Sequence, residues 1–316
     1  MTTEDFSPLT ALSQTLADSI ARAGASIVGL KAGRRGSASG IHWRSGIVVT
    51  TDHALKQDDA VTLTLADGTV TATLIGRDSA IDLAVLRLPD SVTLPAANLG
   101  DPAQLRVGHL TVAVGRSLET GITASMGIVS AIGGAWRTWH GGKVDQLIRP
   151  DVMLYPGGSG SGLINTQGQI LGMNTMAPRH SVLTIPVTTI DRVVNQLVNQ
   201  GRIVRGYLGV GMQPVQLPEA FCQSLQLAGN GGVLILSVES GSPADRAGVL
   251  IGDIIVAMND DPQGESASHR RIEAIDDIQR MLDPERVGQP LTVQMVRGGQ
   301  LISLTILVGE RPRRAG

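Results

Sequence analysis

Gly157-Gly158-Ser159-Gly160-Ser161-Gly162-Leu163-Ile164-Asn165 sets a serine among glycines and then runs into an apolar pair. Entered through Pro156, the stretch suits a tight turn whose backbone amides can approach a substrate carbonyl, followed by a short buried strand. The same nine residues also suit a flexible Gly/Ser linker. The sequence on either side has to choose between these readings.

Outward from that stretch the chain is a succession of short apolar runs and turns. Before it come 110–114, 127–131 and 147–148; after it comes 170–173, reached through Asn165-Thr166-Gln167-Gly168. An earlier set lies at 26–30, 46–51, 60–65, 70–75 and 83–88, with Asp67-Gly68 marking a hairpin across 60–75. Two successive groups of evenly spaced strands predict a mainly β fold with two antiparallel barrels meeting at an interface.

Composition agrees with many short strands: 39 glycines, 2% aromatic residues, and recurrent Val, Ile, Leu and Thr. At 316 residues the chain has room for two or three domains. With 42% hydrophobic residues and a net charge of −2, nothing in it points to nucleic acid or to a membrane surface. The single Cys222 excludes an intrachain disulfide and a cysteine-based metal cluster, and no metal or cofactor is expected. No basic-then-apolar leader opens the sequence and no apolar run reaches the roughly 20 residues of a membrane span.

Residues 1–25 read as an N-terminal helical assembly segment, with Leu9, Leu12, Leu16 and Ile20 near helical spacing. A helix at 188–200, capped by Thr188 or Thr189 and stopped by Gly201, closes a domain spanning 26–201. Residues 202–206 form a linker, 207–309 a smaller α+β domain, and 310–316 a basic tail. Within the smaller domain, Ser242-Pro243-Ala244-Asp245 starts a short helix, and a second helix runs from about Glu273 to Leu282.

A serine nucleophile needs a base, and the base needs an orienting acid. Among six histidines only His53 directly follows a strong strand; His42, His109, His140, His180 and His269 read as surface or core residues. Asp82 stands where a polar turn enters the apolar strand 83–88, a boundary that suits either an orienting carboxylate or a turn cap. Taken together, His53, Asp82 and Ser159 follow one of the known orders of a catalytic triad.

These residues carry a resemblance to the HtrA (Do-like) family of trypsin-fold serine proteases with a following PDZ domain. Asp82-Leu83-Ala84-Val85-Leu86 matches a family element at every position, and Thr51-Asp52-His53-Ala54 is similar to Thr-Asn-x-His-Val. Leu99-Gly100-Asp101, Leu105-Arg106-Val107-Gly108, Gly127-Ile128-Val129-Ser130-Ala131 and Ile185-Pro186 occur in family order. The serine element, Asn-Pro-Gly-Asn-Ser-Gly-Gly-x-Leu-x-Asn in the family, departs here at Tyr155, Gly158 and Ser161.

The resemblance implies a trypsin-like double β-barrel followed by a PDZ domain, with His53, Asp82 and Ser159 catalytic. It implies an oxyanion hole from the amides of Gly157 and Ser159, helped by Gly158, in a loop that the extra glycine allows to collapse at rest. Val182, Leu183, Thr184 and Ile185 would flank the primary pocket and pair with extended substrate, the loop Met176–Ser181 being short for the family. Tyr207, Leu208, Gly209 and Val210 would receive a peptide C-terminus, with Ile275 and Ile278 on the other groove wall. Implied partners are unfolded polypeptides, peptide C-termini and further copies of the chain in a trimer. The sequence as given reads as soluble and cytoplasmic, while the resemblance points to the cell envelope or periplasm if a leader has been removed, and the residues do not choose between the two. The competing reading is a silent PDZ-containing chaperone or adaptor on a protease scaffold.

Overall fold

The computed structural model describes residues 7–32, 36–55, 60–138, 141–176, 181–203, 206–227, 229–259, 269–282 and 286–310. The chain divides after Ile203 into two compact units. In the first, helix α1 (Pro8–Gly24) precedes strands β1 (Ile27–Ala32), β2 (Gly36–Arg44), β3 (Ile47–Thr50), β4 (Ala60–Thr64), β5 (Thr69–Asp78) and β6 (Leu83–Arg87). These six close into an antiparallel barrel in the order β1-β2-β3-β6-β5-β4. The Asp67-Gly68 hairpin forms as the sequence predicts, Thr64 facing Thr69 and the Leu65 amide donating to the Gly68 carbonyl at 2.7 Å.

The second barrel follows with β7 (Leu110–Ser117), β8 (Gly121–Gly133), the small hairpin β9 (Trp136–Arg137) and β10 (Lys143–Val144), β11 (Leu147–Pro150), β12 (Gly162–Ile164), β13 (Ile170–Met176) and β14 (Val182–Pro186). It closes in the order β11-β14-β13-β12-β7-β8. Alternating side chains of each barrel fill its own interior, Leu63, Ala72 and Leu86 in the first and Val129, Ile148 and Leu163 in the second. A third cluster joins them: Ile27, Ile41, Val49 and Leu83 pack with Val112, Val114, Ile164 and Met173. At about 1.5 to 3 kcal/mol for each buried aliphatic side chain, this shared layer fixes the barrels against each other.

Helix α2 (Val187–Gln200) seals that layer with Ile190, Val193, Val194 and Leu197, each at most 1% exposed. Gly76 makes room for it, since a Cβ there would lie 2.8 Å from Leu197 Cδ2. Gly201 ends the helix in the left-handed conformation, φ 68°, its amide donating to Leu197 at 2.8 Å. The start differs from the sequence expectation. Pro186 occupies the cap position and no side chain caps the helix; Thr189 instead exchanges hydrogen bonds with the Asp145 amide and carboxylate.

The second unit builds β15 (Gly206–Tyr207), β16 (Val210–Gln216), helix α3 (Glu219–Ser224), β17 (Gly231–Val238), α4 (Pro243–Arg246), β18 (Ile254–Asn259), β19 (His269–Arg271), α5 (Ile275–Arg280), β20 (Pro290–Arg297), β21 (Gln300–Leu307) and β22 (Gly309–Glu310). Its main sheet runs β16-β17-β18-β20-β21, leaving β16 at one edge beside α5, while β15 pairs with β22. Ser242 caps α4 as the sequence indicates, accepting from the Asp245 amide at 3.2 Å. No helix among the described residues is long and apolar enough to cross a membrane.

Candidate active site

His53 lies on a single 3-10 turn, Asp52–Ala54, placed directly after β3. Asp82 ends the turn that leads into β6 and holds a left-handed backbone, φ 56°, a region that aspartate tolerates better than most residues. Because β3 and β6 are neighbours in the first barrel, their ends bring the two side chains together. Asp82 Oδ2 accepts from His53 Nδ1 at 2.7 Å, and Oδ1 accepts from the His53 backbone amide at 2.9 Å. Bonded through Nδ1, the imidazole has its Nε2 on the opposite edge of the ring.

A third donor, Thr175 Oγ1 on β13 of the second barrel, also reaches Asp82 Oδ2. The sequence reading did not single out Thr175. Its signal was the polar pair Asn174-Thr175 within a strand whose first six residues are all buried. Burial works to raise the Asp82 pKa, but the bonds from His53 and Thr175 outweigh it and hold the carboxyl below its ordinary value. The same hydrogen bond raises the His53 pKa above 6.5; burial opposes it, and the charges of Asp82 and Asp52 add to it. Asp52 is itself paired with Arg77 at 3.0 Å.

Ser159 sits between β11 and β12, in a loop fastened on both sides. Its carbonyl accepts from the Ser39 amide at 2.8 Å, while the next amide, of Gly160, donates to the Asn174 carbonyl at 2.9 Å. The Gly158 carbonyl accepts from the Ser161 amide at 3.1 Å. In a trans peptide the N–H points opposite to the C=O, so the Ser159 amide faces the other way. Among the described residues neither that amide nor the Gly157 amide has an acceptor. The Gly158 amide is already spent, donating to Tyr155 at 2.7 Å.

Gly160 has φ 83°, and a Cβ on it would fall 2.0 Å from the Ser39 carbonyl oxygen and 3.1 Å from Thr50 Oγ1. The serine loop therefore lies against the end of β3, just ahead of His53. Ser161, 1% exposed, accepts from Asn174 Nδ2 at 3.1 Å, and Thr184 donates to Asn174 Oδ1 at 2.7 Å.

On β14, Val182, Thr184 and Ile185 are buried and Leu183 is half-buried. The strand pairs with β13 throughout and with β11 at Thr184, where Ile148 faces it. Residues 177–180 of the loop before it, and His140 and His180, lie outside the described residues. His42 is buried, its Nδ1 2.9 Å from the Pro95 carbonyl. Among the described residues no group of three or more His, Cys, Asp or Glu side chains is placed to hold a metal.

In the second unit, Tyr207 to Val210 lead from β15 into edge strand β16. Gly209 has φ 83° and packs so closely on Ser242 that a Cβ would lie 2.2 Å from Ser242 Cβ. The Gly209 carbonyl accepts from the Glu239 amide at 2.8 Å, and the Tyr207 hydroxyl donates to the Glu239 carboxylate. Ile275 is half-buried on α5, which lies beside β16, and packs against the core of this unit. Ile278 is 0% exposed and belongs to the core with Leu208 and Val233, which corrects its sequence assignment as a groove wall. Positions three apart share a helix face, and the face that carries both isoleucines packs inward.

Comparison with known proteins matches residues 38–173 to a trypsin-like peptidase domain and residues 206–308 to a PDZ domain. A probable periplasmic serine endoprotease, DegP-like, of Chlamydia pneumoniae is 30% identical over 278 residues, covering 86% of this chain and 54% of the relative. The chain thus spans about half the length of the first curated relatives it matches. A putative serine protease, HhoA, of Synechocystis is 30% identical over 274 residues, covering 83% of this chain and 67% of the relative. The solved structure of the HtrA-type protease AlgW with a decapeptide superposes with a TM-score of 0.75 at 26% identity, covering 94% of this chain and 99% of that one. Two closed barrels, the paired His53 and Asp82, and a PDZ domain in sequence place this chain in the HtrA family of serine proteases.

Proposed function

We propose that the chain is an ATP-independent serine endopeptidase that cleaves unfolded or damaged polypeptides, with its PDZ domain receiving peptide C-termini for recruitment or activation. The observation that carries this reading is the double hydrogen bond from His53 to Asp82 beside a serine loop with two unspent amides. His53 Nε2 takes the Ser159 proton as Oγ attacks the scissile carbonyl, and Asp82 stabilises the imidazolium. The Gly157 and Ser159 amides receive the oxyanion, a contribution of about 2.7 to 4 kcal/mol per donor in comparable sites. His53 returns the proton to the leaving amine, and water then releases the acyl group.

Exposed Met153 and Tyr155 precede the serine loop, and the Met153 amide bonds Ser125 of β8, which also exposes Met126. Such a surface suits apolar segments that only unfolded chains present. In the PDZ domain, edge strand β16 offers a peptide an added strand. On α1, Leu16 and Ile20 pack on the core while Leu9 and Leu12 are exposed, which favours a homo-oligomer, a trimer by family resemblance. The relatives' names favour a periplasmic setting.

The test is a fluorophosphonate probe that labels wild type and leaves Ser159→Ala unlabelled. Equal labelling of both defeats the assignment. Casein cleavage that disappears in His53→Ala separates this reading from a silent chaperone, which would suppress aggregation without cutting.

A further inference from the structure

Ser39, on β2 of the first barrel, is fully buried, and every polar atom it has is committed within a few ångströms of the serine loop. Its amide donates to the Ser159 carbonyl at 2.8 Å. Its hydroxyl donates to the Gly157 carbonyl at 2.6 Å and accepts from the Arg116 amide at 2.9 Å. Its carbonyl accepts from Thr50 Oγ1 at 2.7 Å.

The peptide between Gly157 and Gly158 is thereby held at both ends, its carbonyl by Ser39 Oγ and its N–H by the Tyr155 carbonyl. The peptide between Ser159 and Gly160 is held likewise, by the Ser39 amide and the Asn174 carbonyl. Between these two fixed planes lies the one that carries the Ser159 N–H. The Gly157 N–H adjoins the first of them on its other side. Glycines at 157, 158, 160 and 162 give the loop little stiffness of its own, so its shape must come from outside it.

Arg116 makes the support firm. Its Nε bonds the Ile27 carbonyl at 2.7 Å and its Nη2 the Gly24 carbonyl at 3.4 Å, fixing the residue whose amide orients the Ser39 hydroxyl. A Cβ at Gly115 would lie 2.8 Å from Ser39 Oγ, so glycine there leaves the hydroxyl the room it occupies.

We propose that Ser39 is a positioning residue that clamps the Gly157–Gly158 peptide from the opposite barrel and so aligns the Gly157 and Ser159 amides for the oxyanion. The proposal rests on the reading of Ser159 as nucleophile. Ser39 touches neither substrate nor the reacting atoms; it acts through the loop.

The test uses Ser39→Ala in the full chain, with Ser39→Cys as a space-filling variant with a weaker donor. Peptide hydrolysis in Ser39→Ala falls about 10- to 100-fold in kcat, with KM within about threefold of wild type and the pH midpoint of activity unmoved. Affinity for a peptide boronate, which needs the aligned amides, falls in parallel, and Ser39→Cys lies between. Wild-type kcat and boronate affinity in a folded Ser39→Ala overturn the clamp, as does a loss confined to KM. Should Ser39→Ala fail to fold, the same comparison is made on Ser39→Cys. If wild type shows no labelling that depends on Ser159, the proposed function falls and hydrogen exchange across residues 155–163 decides the clamp. Faster exchange in Ser39→Ala supports it, and unchanged exchange overturns it.

Discussion

Asp82 receives both the ring and the backbone of His53: one carboxylate oxygen accepts a hydrogen bond from Nδ1 and the other accepts one from the amide of the same residue. The acid thus sets the tautomer of the base and the position of its Cα together. Asp82→Asn puts a donor where Nδ1–H needs an acceptor, inviting the wrong tautomer. Expected is a fall in kcat of about 10³- to 10⁴-fold with KM little changed, measured on a peptide substrate.

The proton balance of His53 has a definite sign. Its raised pKa means that folding favours the imidazolium, so this group adds stability below about pH 6.5 that is lost as pH rises through the folded value. Catalysis needs the neutral ring, so kcat/KM rises with pH to a midpoint above 6.5. Since Asp52 contributes to the elevation, Asp52→Asn moves the midpoint of a pH-rate profile to lower pH. A midpoint that stays in place removes Asp52 from the account.

Asp82 has the opposite linkage. Its lowered pKa stabilises the fold above the ordinary carboxyl range and ceases to do so as pH falls through the folded value. Thr175→Val deletes one of the bonds responsible, at about 1.5 to 3 kcal/mol for a hydrogen bond to a charged group. The variant should melt at a lower temperature near neutral pH, and the deficit should shrink in acid.

Within the PDZ domain, Arg297 forks onto Asp253 through Nε at 2.8 Å and Nη2 at 2.7 Å, and the carboxylate is 1% exposed. Burial alone would raise the Asp253 pKa, yet its bonds from Arg297 and the Leu250 amide hold it down. Arg297→Met strands that charge and should cost about 3 kcal/mol in urea unfolding of this domain. Labelling of Ser159 should persist where only the PDZ domain has melted.

Gly209→Ala needs a left-handed alanine and a Cβ 2.2 Å from Ser242 Cβ. Loss of binding to a hydrophobic C-terminal peptide is expected by fluorescence anisotropy, together with destabilisation of more than about 1 kcal/mol. Retained affinity would place the peptide elsewhere.

What the sequence disclosed followed from local rules. Asp67-Gly68 announces its hairpin because the turn demands those residues, and Gly201 its helix stop because few others sit comfortably at φ 68°. β2 was missed. Its Ser, Gly, His and Trp give no alternating pattern, because the strand is buried along most of its length. Their partners come from distant segments: Gly157 for Ser39, Pro95 for His42, Asp191 for Trp43. Thr189 misled for the same reason, its hydroxyl preferring Asp145 to the helix end. The His53 and Asp82 positions were legible as strand ends; Thr175 was a polar residue in a buried strand whose partner only the fold supplies.

The serine loop is moored to β2 on one side and to Asn174 of β13 on the other, while the base and acid belong to the first barrel alone. On the proposed reading a half-finished chain is therefore harmless. While it is being made, neither barrel by itself carries a working blade, and the cutting edge exists only once both halves have closed. Closure of the two barrels is then the step at which cutting becomes possible.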